Sequence, residues 1–166
     1  MHTLLIRITL YLAASLLFAA CRPSAPSSRP VNVPATALTE LAAFQARPKF
    51  LPDTSGHTPG GYYTGLSNPA LQAPLSQLLN LAADDFRAVA GQPAPTEGDF
   101  QTQIDRALAR FEPLYIELDS EDRDRVCLYI EELMDTVGLA SSGGRLSIWR
   151  YGFDPEALLR LRQQGQ

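Results

Sequence analysis

Four carboxylates crowd one short stretch of the chain: Asp119, Glu121, Asp122 and Asp124. Acids at this density suit two chemistries, divalent-cation binding and acid–base proton transfer. The calcium-loop template fails here. Counted from Asp119, its fifth position is Arg123, and the glycine it requires is missing. A simpler account places the group at a helix start. Carboxylates there complement the helix dipole, and Asp119–Arg123 and Glu121–Arg125 stand four residues apart.

The other reactive groups are scattered. Asp84–Asp85 and Glu131–Glu132 are sequence neighbours, and neighbouring helix residues point ~100° apart, so neither pair converges unaided. His57 is a single loop histidine once His2 is set aside with the N-terminal segment, and a lone histidine is a poor metal site. Cys127 lies on an apolar helix face and reads as a small core residue rather than a nucleophile. No nucleophile elbow, P-loop or dinucleotide fingerprint is present. No cofactor is implied. Trp149, Tyr151 and Phe153 alternate, and in an extended segment they would share one face. With Tyr62 and Tyr63 they suggest a groove for a peptide or a sugar. The competing account is that they pin the C-terminal segment onto the core.

Helices must position these groups. Thr36 caps a first helix to about Ala46, with Leu38, Leu41 and Ala42 on one face; Pro48 ends it. Residues 49–67 are rich in proline and glycine but carry Phe50, Leu51, Tyr62, Tyr63 and Leu66, so this loop should pack over the core, with a short hairpin at most. Asn68–Pro69 opens a second helix along Leu71, Leu75, Leu78, Leu79, Ala82, Phe86 and Val89, with Pro74 as a difficulty. Thr96–Asp99 has capping-box spacing ahead of Phe100, Ile104, Ala107, Leu108 and Phe111. Asp119 or Ser120 caps the clearest helix, with Val126, Tyr129, Ile130, Leu133, Met134 and Val137 in amphipathic register before the Gly138 stop. Leu146 to Tyr151 reads as a short strand or extended segment, and Asp154–Pro155 starts a last helix with Leu158, Leu159 and Leu161. The expected fold is mainly α, a small bundle of four to five amphipathic helices with at most a minor β element.

The N-terminus carries a different signal. Ile8 to Ala20 is a short apolar run, better suited to a signal peptide than to a span of ~20 residues. Leu17-Phe18-Ala19-Ala20-Cys21 resembles the lipobox of bacterial lipoproteins, with Phe18 where that family usually has Leu. The resemblance implies cleavage before Cys21 and acylation of its thiol by a diacylglyceryl group, which anchors a chain stably. An ordinary secretory signal or an uncleaved anchor is the alternative. Arg22 in place of Asp points, by the enteric rule, to the outer membrane facing the periplasm. The expected organisation is a signal peptide at 1–20, a lipidated proline- and serine-rich tether at 21–35 reaching ~40 Å, and one helical domain at 36–166. With Cys21 acylated, Cys127 has no disulfide partner.

Charge narrows the partners. Residues 81–135 hold fourteen Asp and Glu against five Arg, a net of −9, while 22–49 carry +3 and 145–166 carry +2. An acidic middle argues against nucleic acid, whose binders need a basic stripe. Either the basic ends fold back on the acidic helices or the acidic face meets a basic partner.

Ser120 to Asp135 and Trp149-Arg150-Tyr151-Gly152-Phe153-Asp154-Pro155 resemble a small bacterial family known only as a domain of unknown function, over about Leu38 to Asp154. That resemblance implies a self-contained domain and brings no activity. The expected function is a membrane-tethered binding module with an envelope protein partner, not an enzyme. It would act through Asp119, Glu121, Asp122 and Asp124 or through Tyr62, Tyr63, Trp149 and Tyr151. The alternatives are an acidic immunity or inhibitor lipoprotein that neutralises a basic enzyme, and an envelope hydrolase working with scattered carboxylates.

Overall fold

The computed structural model describes residues 27–55 and 61–164. Within them run six α-helices: α1 Ala37–Ala46, α2 Gln72–Ala90, α3 Glu97–Phe111, α4 Ser120–Val137, α5 Arg145–Tyr151 and α6 Pro155–Gln164. Two 3₁₀ segments, Pro69–Leu71 and Glu112–Glu117, join them. No strand forms among the described residues; two isolated bridges, Pro30 with Thr96 and Asp53 with Tyr63, are all the β pairing there is. The lipobox and His57 lie outside the described residues.

The α2 helix is the hub, packing on α1, α3 and α4. Its stripe is buried as its spacing requires: Leu75, Leu79, Ala82, Phe86 and Val89 face inward. Pro74 fits because it stands in the first turn, where a missing N–H costs nothing. Asn68 accepts from the Ala70 amide and starts the 3₁₀ turn ahead of it. On α3, Phe100, Ile104, Ala107, Leu108 and Phe111 are all buried, and Phe100 meets Phe86 at 5.6 Å between ring centres. On α4, Val126, Ile130, Leu133, Met134 and Val137 close the core. Fully burying one such side chain contributes about 1.5–3 kcal/mol. Gly138 ends α4 in the left-handed region at φ 75°, and Leu139 folds back with its amide on the Met134 carbonyl.

Three expectations change. On α1 the buried face is Ala37, Leu41 and Phe44, whereas Leu38 is half exposed, because the large Phe44 ring claims the core side. Thr36 has helical φ and ψ and its side chain makes no capping bond. Residues 145–151 form a helix, not a strand. Gly144 and Gly152 both take positive φ and punctuate it, and Leu146 and Trp149, three apart, are its buried pair. Alternation of aromatics misled because Tyr151 and Phe153 straddle the helix end.

The segment expected to hang free as a tether is engaged with the domain from Ser27 onward. Glu97, at the start of α3, accepts from Ser27 Oγ at 2.8 Å and from Arg29 at 3.2 Å. The Gly98 amide donates to Ser27 O and the Val31 amide to Pro95 O. Val31 and Val33 are half-buried against the core. All of the first four N–H groups of α3 therefore find partners: those of Glu97 and Gly98 in this strap, that of Asp99 in its own cap and that of Phe100 on the Thr96 carbonyl.

Candidate functional site

The loop after α1 builds one wall of a groove. Lys49 is the chain's only lysine and is buried. Its ammonium donates to Phe44 O at 2.8 Å, Arg47 O at 3.2 Å and Asn80 Oδ1 at 2.8 Å. Three donors thus meet three acceptors, and the charge also lies 4.6 Å from the Phe44 ring centre. The first two acceptors are carbonyls at the C-terminal end of α1, where a cation is favoured. Burial lowers the Lys49 pKa, and neighbouring Arg47 lowers it further.

Phe50 follows at φ 59°, the only non-glycine residue in the left-handed region among those described. That conformation costs about 1–2 kcal/mol. Two contacts with Tyr129 hold it: the Phe50 amide donates to the Tyr129 hydroxyl at 2.8 Å, and the rings meet edge to face at 5.2 Å. Gln72 donates to the Lys49 carbonyl from the other side. The strained turn leaves Leu51 half exposed over the surface of α4.

Between this loop and α4 lies an open groove of about 600 Å³. Its apolar floor is Pro48, Leu51, Pro52, Leu128 and Tyr129; Asp53, Glu131, Glu132 and Asp135 are its carboxylates, and Arg47 and Arg125 its cations. The formal balance is −2. Arg47 pairs with Glu132 and lies over the Tyr129 ring, and Arg125 stacks on Tyr63 at 4.3 Å. On α4, Leu128, Glu131, Glu132 and Asp135 are spaced 3, 1 and 3, so they share a face. Such a surface fits an apolar segment carrying positive charge.

The four acidic candidates are not one face. Asp122 is buried and accepts from Tyr63 Oη at 3.1 Å and from Ser67 Oγ at 2.6 Å and its amide at 3.2 Å. It anchors the far end of the 49–67 loop. Its carboxylate and burial together hold the Tyr63 hydroxyl well above the ordinary phenol range, with burial the larger cause. Asp119 caps α4 by accepting from the Asp122 amide at 2.9 Å. Asp124 pairs with Arg150 at 3.0 Å, and Glu121 is exposed. Arg123 donates to the Asp119 carbonyl and to the Tyr115 hydroxyl.

The aromatic candidates are likewise dispersed. Tyr62 is exposed and Tyr63 buried. Trp149 is buried edge-on to Phe111 and Tyr115, at 6.0 and 5.3 Å, so it pins α5 to α3. Tyr151 is exposed against Phe153. Cys127 is a core residue whose thiol burial pushes up to about 11, out of nucleophile range. Among the described residues no three His, Cys, Asp or Glu side chains converge as a metal requires.

The basic ends do fold back. Arg29 reaches Glu97, Arg47 reaches Glu132, Arg145 reaches Asp105 and Arg150 reaches Asp124. About three turns further along α4, Glu132 is met by Arg47 and Glu131 by Arg150 at 3.8 Å, and Asp135 stands exposed beside them. Leu128 was the sequence signal for this face: an apolar residue standing outside the core stripe.

The DUF4844 profile, a domain of unknown function, matches residues 32–154. The chain belongs to the DUF4844 family. The match spans α1 to α5 and ends before α6. The DUF4844 fold is also similar to the crystal structure of a DUF3571 family protein from Acinetobacter baumannii AYE. The two share 31% identity and a TM-score of 0.61, over 76% of this chain and 95% of that one. No curated protein matches. Among the described residues, no helix of this DUF4844 chain is long and apolar enough to cross a membrane.

Proposed function

We propose that this chain is a cell-envelope lipoprotein, acylated at Cys21 and facing the periplasm from the outer membrane, whose domain binds a basic, partly apolar protein segment. The groove between the Arg47–Asp53 loop and α4 is the binding surface. One observation carries the reading: Phe50 is held in a strained conformation by Tyr129, at the wall of an acidic groove with an apolar floor. Strain of this kind persists where the surroundings over-determine it, and it gathers at ligand clamps. Acidic residues around such a groove steer a basic partner and fix its register.

The strap sharpens the membrane geometry. Because the chain is bound to α3 from Ser27, only residues 21–26 would separate the lipid from the domain, a reach of ~20 Å instead of ~40 Å.

The test uses the full chain in its own membranes, with a photo-crosslinking residue at Leu128. The proposal expects protein adducts at Leu128, their loss on Glu132→Lys with Asp135→Lys, and release of the protein from the membrane fraction on Cys21→Ala. No adduct at Leu128 would remove the groove from binding; unchanged fractionation of Cys21→Ala would remove the anchor.

A further inference from the structure

The α6 helix, Pro155–Gln164, lies beyond the family match and packs chiefly on α5. Its N-terminus is well made: Asp154 accepts from the Ala157 amide at 3.1 Å and pairs with Arg160 at 3.3 Å. Yet Leu158, Leu159 and Leu161 are each more than half exposed. At 100° per residue, Leu161, Leu158, Arg162 and Leu159 follow one another around a single arc. The arc is apolar with one cation set inside it.

The groove on α4 has the complementary character. Its floor is apolar and its lining residues carry a formal balance of −2; Glu132 is met by Arg47 and Glu131 by Arg150, and the exposed Asp135 shares the face of Leu128. A volume of about 600 Å³ lies within the ordinary range for a ligand site. The chain therefore carries both halves of an apolar and oppositely charged contact, and in its own fold they are apart. A bilayer suits this arc less well, because Arg162 sits among the leucines and would enter the apolar layer with them.

We infer that the groove's partner is a second copy of this chain, whose α6 helix docks with Leu158, Leu159 and Arg162 against Leu51, Leu128 and the carboxylates of α4. This rests on the groove being a binding site, as proposed above. Helix and groove are different surfaces, so a reciprocal exchange closes as a twofold pair, while one-way docking propagates into a chain. Anchoring of both copies in one membrane would raise their effective concentration.

The experiment co-expresses two full-length copies with different C-terminal tags and places a photo-crosslinking residue at Leu159 of one. The inference expects an adduct carrying both tags, mapped to residues 47–53 or 128–135 of the other copy. Arg162→Glu, which replaces attraction to the α4 carboxylates by like-charge repulsion, should cut its yield about tenfold. Arg162 is exposed and α6 lies outside the core, so circular dichroism of that variant should be unchanged. An adduct to another protein or to lipid, no adduct at all, or a yield indifferent to Arg162→Glu would overturn self-docking. The Leu128 probe separates the two readings. If it captures a different protein, the groove binds and only the second-copy inference fails; if it captures nothing, both fail.

Discussion

The Tyr63 hydroxyl donates to Asp122 across 59 positions of sequence, at 3.1 Å, with both residues buried. Ser67 supplies two further donors to the same carboxylate. This joint fastens the 49–67 loop to the first turn of α4. Tyr63→Phe removes one of three donors and should cost about 1–2 kcal/mol in urea unfolding. Asp122→Ala leaves the buried hydroxyl and the Ser67 amide without their acceptor and should cost about 3 kcal/mol or more. Equal costs for the two would mean that Tyr63, not Asp122, is the centre of the joint.

Lys49 gives a second prediction, with a pH signature. Lys49→Met strands Phe44 O and Asn80 Oδ1 and should cost about 1–3 kcal/mol at neutral pH. The folded Lys49 pKa lies below its unfolded value near 10.4. Between the two values the unfolded chain binds more protons, so the wild type gains stability as pH rises through that alkaline window. The variant lacks the gain, and the stability gap between them should widen there. Denaturant midpoints taken from pH 8 to 10.5 check it; a gap that narrows would contradict the burial of the charge.

Gly138 is required twice over. Its φ is 75°, and a Cβ there would sit 3.0 Å from the Asn32 carbonyl of the strap. Gly138→Ala should therefore cost about 1–2 kcal/mol for the left-handed backbone alone. It should also loosen the strap, seen as faster hydrogen exchange at the Val31 amide that bonds Pro95. Unchanged exchange at Val31 would show that the strap does not depend on this contact.

The α3 cap predicts acid behaviour. Asp99 accepts from the Thr96 hydroxyl at 2.7 Å and the Thr96 amide at 2.9 Å, and these bonds hold its carboxyl below the usual range. A depressed folded pKa gives stability that is complete above the unfolded value near 3.9 and is lost as pH falls through the folded value. Asp99→Ala should cost about 0.5–2 kcal/mol from pH 5 to 8, and the difference should shrink below about pH 4. Thermal unfolding of both proteins across that range decides it.

Much of the fold was legible because its signals are local. The capping box at Thr96 and Asp99, the Asn68–Pro69 start, the Gly138 stop and the stripes of α2, α3 and α4 each depend on residues within a turn or two of one another. The short helices were less legible. With few turns to average over, α1 and α5 took their buried faces from what packed against them, Phe44 under Tyr129 and Trp149 against Phe111.

The sequence by itself determined a helical domain of the DUF4844 kind, an acidic middle and basic ends, and the residues that start and stop the long helices. Only the tertiary structure decided which carboxylates face outward. Asp122 and Glu131 have the same charge and stand on the same helix, but one is met by Tyr63 and Ser67 and the other lines the groove. The same holds for Lys49, whose burial needs Asn80 from α2, and for Phe50, whose strain is offset by Tyr129 from α4. Burial and pairing of a polar group are set by residues distant in sequence, and no local pattern carries that information.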